Sequence, residues 1–299
     1  MTAHATALAL DIGGTKLAAG LVSPAGELLR ERRVPTPATD VWGATEALLR
    51  EVADGRPVSA VGIGSAGPVD VEAGIVGPLN IPPWRAGFPL VDAVRALFPG
   101  APVRLAIDGA CCALAEQRFG AGRGTANQIG MIVSTGVGGG LILDGRVVGG
   151  RTGNAGHIGH VVVPGADDVP CACGGFGCLE AVASGPSSVR WAKARGWAGS
   201  TGLELSESAN AGDAVALAAL HRAGTAVGTA IASTAALLDL DLAVVGGGFG
   251  QSGAPLWGPM AEAADRHARL SFSRALRIVP AELGDRATLI GAGALTQVS

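Results

Sequence analysis

Residues 9–22 read ALDIGGTKLAAGLV and residues 131–145 read MIVSTGVGGGLILDG. Each stretch is an apolar run, a glycine-rich turn and a second apolar run, which predicts two strands joined by a tight connection. The same device used twice, each copy followed by helical patterns, predicts two α/β domains of related architecture with a cleft between them. The boundary falls near residue 120. Residues 1–119 make a small N-terminal domain and residues 120–286 a larger C-terminal one. The terminal segment 287–299, helical over 287–297, packs back on the first.

The chain between these landmarks fits that outline. A third strand is expected at LLRERRVP (28–35), then a helix over 41–53 with Trp42, Leu48, Leu49 and Val52 on one face. A strand follows at 58–64, then a Gly/Pro-rich loop from Ser65 to Phe88. The run VRLAI (103–107) reads as a strand that ends at Asp108, where a helix begins. Strands at 129–134 and 140–143 bracket the second glycine turn, and helical patterns recur near 186–195 and 212–238. A strand at 241–245 runs into GGGFG.

Composition bounds the function. With 299 residues, 48% hydrophobic and 16% charged, the chain buries a sizeable core. Its 48 glycines show no Gly-X-Y period and cluster after apolar runs, where backbone approaches ligands or turns tightly. A net charge of −3 gives no positive field, so neither nucleic acid nor an anionic membrane is an expected partner. The start MTAHATALALDIGG lacks the basic and long apolar regions of a secretory signal. No unbroken apolar run approaches the roughly 20 residues of a membrane span. Five cysteines, three of them crowded together, favour a reducing cytoplasm and metal ligation over a disulfide framework.

A glycine turn between strands lets backbone N–H groups converge on an anion; it is equally an ordinary hairpin turn. DIGGTK adds an acid for a metal or its waters (Asp11), a hydroxyl (Thr15) and an ammonium (Lys16), while STGVGGG adds two hydroxyls. Two such turns favour phosphate. There is no G-x-x-x-x-G-K-[ST], which excludes a P-loop. Gly248-x-Gly250-x-x-Gly253 matches a dinucleotide pattern after a strand, but no acidic residue ends a strand about 20 residues on. The run VVGGGFG serves equally as a backbone shelf for an adenosine. Asp108, where a strand gives way to a helix, suits either a helix cap or the base that takes the proton of an attacking hydroxyl.

Residues 157–178, HIGHVVVPGADDVPCACGGFGC, supply the metal chemistry. Cys171, Cys173 and Cys178 form C-x-C-x4-C with His160 eleven residues upstream. Three thiolates and an imidazole complete a tetrahedral zinc set; the alternative is buried, unmetallated thiols. Four protein ligands leave no open position, so the zinc is structural. His157 is not needed as a fifth ligand; it is either a satisfied histidine beside the site or a substrate contact. Glu180 faces what the loop shapes. Cys111 and Cys112, on an expected buried helix, read as inert packing.

The ordered set DIGGTK, GIGSAGPVD, NIPPW, IDGA, STGVGGG, GHIGH and CACGGFGCLEA, spread over nearly the whole chain, resembles the ROK family of bacterial sugar kinases. The resemblance implies the two-domain actin-like (hexokinase/ribonuclease H-like) α/β fold, ATP with Mg²⁺, and transfer of the γ-phosphoryl to a sugar hydroxyl, usually O6. It implies Asp108 as catalytic base; Asp11, Gly13, Gly14, Thr15 and Lys16 as the first phosphate motif; and Thr135 and Gly136 as the second. It implies Gly246, Gly247 and Gly248 as the adenosine motif, and Gly67, Asn80, His160 and Glu180 as sugar contacts, with His160 also on zinc. A homodimer is implied as well. Family repressors carry an N-terminal winged helix-turn-helix; with DIGGT starting at residue 11, none is expected here.

Two departures bear on the sugar. Glucokinases of the family have Glu-x-Gly-His where this chain has His157-Ile-Gly-His160, which resembles bacterial N-acetylmannosamine kinases. An imidazole replaces a bidentate acceptor and adds a donor. Ile107 stands where the family commonly has Asn before the catalytic Asp. The expected activity is a hexose or N-acylhexosamine 6-kinase, with N-acetylmannosamine favoured and glucose second. A sugar-binding protein without catalysis is the alternative that Ile107 allows.

Overall fold

The computed structural model describes residues 6–298. In chain order it contains β1 (Ala7–Ile12), β2 (Lys16–Val22), β3 (Leu28–Pro35), α1 (Val41–Ala53), β4 (Val61–Ser65), β5 (Val69–Asp70), β6 (Ile75–Val76), α2 (Leu90–Leu97), β7 (Val103–Ile107) and α3 (Asp108–Phe119). There follow β8 (Gln128–Val133), β9 (Val137–Leu143), β10 (Arg146–Val148), α4 (Leu179–Ala183), α5 (Gly185–Lys193), α6 (Gly202–Asn210), α7 (Ala214–Leu238), β11 (Leu242–Gly246), α8 (Ala254–His267), β12 (Arg277–Pro280) and α9 (Ala287–Leu295).

The doubled device read from the sequence is present. One five-stranded sheet runs β3-β2-β1-β4-β7 and another runs β10-β9-β8-β11-β12. In the first, β1–β2 and β2–β3 pair antiparallel, while β1–β4 and β4–β7 pair parallel. In the second, β9–β10 is antiparallel and β8–β11 and β11–β12 are parallel.

The chain divides into two compact units. The first comprises residues up to Gly124, Gly140–Gly156 and the segment from Asp285; the second comprises Thr125–Gly139 and His157–Gly284. A single cut at residue 120 therefore does not describe the division. Residues 140–156 lie with the first unit because β9 passes against α3 there. A Cβ on Gly140 would sit 2.3 Å from Ala110 Cα, so only glycine allows that approach. Asn154 then clasps the Val69 backbone on both sides, accepting from its N–H at 2.9 Å and donating to its carbonyl at 2.6 Å.

In the first unit every residue of β1 is buried, and Leu8, Leu10 and Ile12 are fully enclosed. Each such side chain contributes about 2 kcal/mol of transfer free energy, which locks the register of the central strand. Helix α1 starts where Asp40 Oδ1 accepts the Gly43 N–H at 3.0 Å, and it buries Leu48, Leu49 and Val52. Helix α9 is buried along its length and packs on α3, β1 and β4. The contact with β4 is so close that a Cβ on Gly62 would fall 1.7 Å from the Ala292 carbonyl oxygen.

In the second unit α7 is the central helix, capped by Asp213 Oδ1 on the Ala216 N–H at 2.8 Å and packed by α4, α5, α6 and α8. His221 and Arg222 break its apolar sequence. Even so, this 25-residue helix is long and apolar enough to cross a membrane, and 56% of its most apolar stretch is buried inside the protein. Helix α6 is an addition to the expected helices, and Thr201 and Glu204 form a reciprocal capping box at its start. The glycines 138–140, expected in a turn, belong to β9, which shortens the second turn to residues 134–136.

Candidate active site

In the first unit the candidate residues gather at the C-terminal ends of the parallel strands. Asp11 on β1 stands beside Gly64 on β4, Ser65 beside Ile107 on β7, and Asp108 opens α3 directly after. Gly67 lies on the loop after β4, next to Ala66, whose N–H donates to the Ile12 carbonyl at 2.8 Å. One Asp108 oxygen accepts the Gly109 N–H at 2.7 Å, so the carboxylate is oriented by the helix it opens. Burial, and then the Asp108 charge, push the Asp11 carboxyl up to about 7; Lys16 and Arg33 pull the other way. A buried carboxylate beside a half-buried one favours a cation between or beside them. Beneath them Cys111 and Cys112 are buried, and burial holds both thiols protonated, as inert packing requires.

The turns themselves are partly closed. Gly13 N–H donates to the Lys16 carbonyl at 3.0 Å, and Ser134 N–H to the Gly136 carbonyl at 2.8 Å. These two donors are therefore not available to an anion, contrary to the expectation for Gly13. Among the described residues, no hydrogen bond uses the N–H groups of Gly14 and Thr15, or of Thr135 and Gly136. Each turn thus presents two successive amide donors and one exposed threonine, a small nest for an anion. Thr36 Oγ1 braces the first turn by donating to the Gly13 carbonyl at 2.6 Å. Asn80 lies over Gly14.

The second unit carries a pocket of about 810 Å³ beside its turn. Ser134, Thr135, Gly248 and Phe249 line it together with Val189, Arg190 and Lys193 of α5 and Leu203 of α6. Apolar walls with hydroxyls and two cations suit a nucleoside bearing phosphate. Of the three glycines read as an adenosine shelf, Gly248 lines the pocket and Gly246 is the buried end of β11. Gly247 takes φ +90°, and a Cβ there would sit 2.5 Å from the Val133 carbonyl oxygen. The segment after Gly248 is a short 3₁₀ turn, Phe249–Gln251, rather than the helix start a dinucleotide pattern needs. Arg190 and Lys193 were missed, because a cation on a helix carries no signal until the helix is placed.

The Cys/His centre is assembled. His160, Cys171, Cys173 and Cys178 offer ligand atoms that all lie within 4.8 Å of one another. Cys173 and Cys178 sulfurs are 3.7 Å apart, and His160 Nδ1 is 3.8 Å from Cys171 Sγ. Two thiolates on a tetrahedral zinc at about 2.3 Å are separated by about 3.8 Å, so the spacing fits. Burial, with the neighbouring Cys171 and Cys173, pushes the Cys178 thiol up to about 12, so a metal bound here would have to displace its proton. Pairing of Pro170 with Phe176, and of Val162 with Cys178, folds the loop around the cluster.

His157 precedes the 3₁₀ turn Ile158–His160, with its ring centroid 5.9 Å from that of His160. Burial, and then His160, lower its pKa, which favours the neutral imidazole. Gly159 presses that turn onto β9, where a Cβ would sit 1.9 Å from the Val137 carbonyl oxygen. Glu180 Oε2 accepts the Val137 N–H at 2.9 Å, so the turn that follows His157, Glu180 and the second glycine turn meet around Val137.

This arrangement has clear likenesses. A glucokinase from Thermotoga maritima is 34% identical over 96% of both chains, and an N-acetylmannosamine kinase from Yersinia pseudotuberculosis is 36% identical over 81% of this chain and 83% of its own. The crystal structure of a ROK family glucokinase from Streptomyces griseus, in complex with glucose and AMPPNP, superimposes with a TM-score of 0.84 at 36% identity. It covers 98% of this chain and all of that one. The fold is thus the two-domain actin-like α/β fold of those kinases. The sequence profile described as the ROK family matches residues 7–298, and with that span accounted for, this chain belongs to the ROK family.

Proposed function

We propose that this chain is an ATP-dependent sugar kinase that transfers the γ-phosphoryl to the 6-hydroxyl of an N-acylhexosamine, N-acetylmannosamine in the first place. The observation that carries the reading is the pair of turns, each with two successive unbonded N–H groups and a threonine, together with Asp108 at a strand end beside Asp11. Gly14, Thr15 and Lys16 in the first unit and Thr135 and Gly136 in the second bind the donor's phosphates, and the pocket at Gly248 takes its adenosine. Asp11 would hold Mg²⁺ or its waters, and the ion, bound with the donor, would neutralise phosphate charge. Asp108 accepts the proton of the sugar hydroxyl as the O6–P bond forms and the bond from the γ-phosphorus to the β-phosphate oxygen breaks, releasing ADP.

Gly67, Asn80, His157, His160 and Glu180 contact the sugar. His160, Cys171, Cys173 and Cys178 would hold Zn²⁺, which would order the loop that presents His157, His160 and Glu180; with His160 Nδ1 turned to Cys171, Nε2 would be left for the sugar. His157 supports the N-acyl sugar, since a neutral imidazole offers a donor and an acceptor where a glutamate offers acceptors only. Glucose is the second reading, favoured by relatives named glucokinase along nearly the whole chain. A coupled ADP-release assay over N-acetylmannosamine, N-acetylglucosamine, mannose and glucose separates them. The reading expects the highest kcat/KM with N-acetylmannosamine; a preference for glucose overturns the choice of sugar but not the reaction, and no turnover with any sugar overturns both.

A further inference from the structure

Each unit lays one polar side chain across a bare glycine of its turn. A Cβ built on Gly14 would lie 2.3 Å from Asn80 Nδ2, 2.4 Å from its Cγ and 2.9 Å from its Cβ. A Cβ on Gly136 would lie 2.6 Å from Glu180 Oε2, the oxygen that accepts the Val137 N–H. Neither glycine has a positive φ, so the backbone conformation would admit alanine at both positions. The space above them would not. It is filled in one unit by a carboxamide and in the other by a carboxylate.

We infer that Gly14 and Gly136 are positioning residues for Asn80 and Glu180, so that the two turns seat the sugar-side groups as well as the donor phosphates. This rests on the reading above that Asn80 and Glu180 face the sugar. The consequence is energetic coupling: a ligand that orders a turn also orders the side chain resting on it, and the coupling is reciprocal. The two seats differ in stiffness. At Gly14 three Asn80 atoms stand closer than 3.0 Å, so an added methyl displaces the whole side chain. At Gly136 only the carboxylate tip is in the way, and Glu180 swings aside at the cost of its bond to Val137.

The test is a double-mutant cycle of Gly14→Ala and Asn80→Gly on the full-length enzyme, read as the KM for sugar, the KM for ATP and the thermal midpoint. Losing one uncharged hydrogen-bonding group corresponds to about a tenfold rise in sugar KM. Gly14→Ala and Asn80→Gly should each raise sugar KM by that order, and the double variant should raise it no further. The midpoint lost in Gly14→Ala should return in the double variant, because the obstructing side chain is gone; this readout holds even where Gly14→Ala itself is poorly folded. Gly136→Ala should give a smaller rise, of a few-fold, matched by Glu180→Gln. An unchanged sugar KM in Gly14→Ala, or effects that multiply in the double variant with no recovery of the midpoint, overturns the seat. An unchanged sugar KM in Asn80→Gly overturns the underlying sugar contact, and the seat with it.

Discussion

Replacing Asp11 with asparagine should make the ligand-free protein more stable, by an amount that depends on pH. Burial, with the Asp108 charge adding to it, lifts this carboxyl from the ordinary 3.8 to about 7 in the fold. A carboxyl raised in the folded state stabilises it only while protonated. That contribution is fully present below about pH 4 and is lost as pH rises to about 7, beyond which nothing further is lost. The gap between 3.8 and about 7, at about 1.4 kcal/mol per pH unit, gives about 4 kcal/mol at pH 8. The assay is urea unfolding of both proteins at pH 5, 6, 7 and 8 in buffer free of divalent cations. Asp11→Asn should exceed the wild type by about 1.5 kcal/mol at pH 5 and by about 4 kcal/mol at pH 8, and MgATP should narrow the difference by stabilising the ionised form. Parallel curves with a constant offset would refute the picture of a buried carboxyl beside a second one.

Three further outcomes follow. Asp108→Asn should lower kcat by at least about 10²-fold while leaving sugar binding measurable by calorimetry, because only the proton acceptor is lost; near-normal turnover would reject the base. Elemental analysis should find one zinc per chain, and Cys173→Ser should lose it along with sugar affinity; a zinc-free protein that phosphorylates sugar normally would remove the structural role of the metal. Gly62→Ala should cost at least about 3 kcal/mol in denaturant unfolding, since its methyl meets the Ala292 carbonyl of α9, and a loss below about 1 kcal/mol would mean that α9 is free to shift.

Much of this protein is legible in its sequence because two signals are local. Apolar runs ending in DIGGT and STG mark the strand–turn–strand units, and the cysteine spacing with His160 marks the metal set. The Cys/His atoms do converge, although the chain alone states only that they are near in sequence. The parts that were hidden depend on tertiary packing. That Gly13 spends its N–H inside its own turn is set by the Lys16 carbonyl across the hairpin, which spacing does not show. The membership of residues 140–156 in the first unit depends on Gly140 meeting α3 and on Asn154 clasping Val69. The contribution of α5 and α6 to the pocket needed both helices placed, although the Thr201–Glu204 capping box announces α6. The polar groups resting on Gly14 and Gly136 arrive from 66 and 44 residues away (80 − 14 and 180 − 136), beyond any motif window.

Phosphoryl transfer from ATP to the 6-hydroxyl of a sugar, with Asp108 as base, is the reaction into which these groups are joined. Phosphorus NMR of a reaction of the purified protein with MgATP and N-acetylmannosamine tests it most directly. Loss of the γ-phosphate signal should be matched by a new phosphomonoester signal split by the two protons on C6, and neither change should occur with Asp108→Asn. A γ-phosphate that persists with every sugar of the panel, or that is released as inorganic phosphate alone, would contradict it.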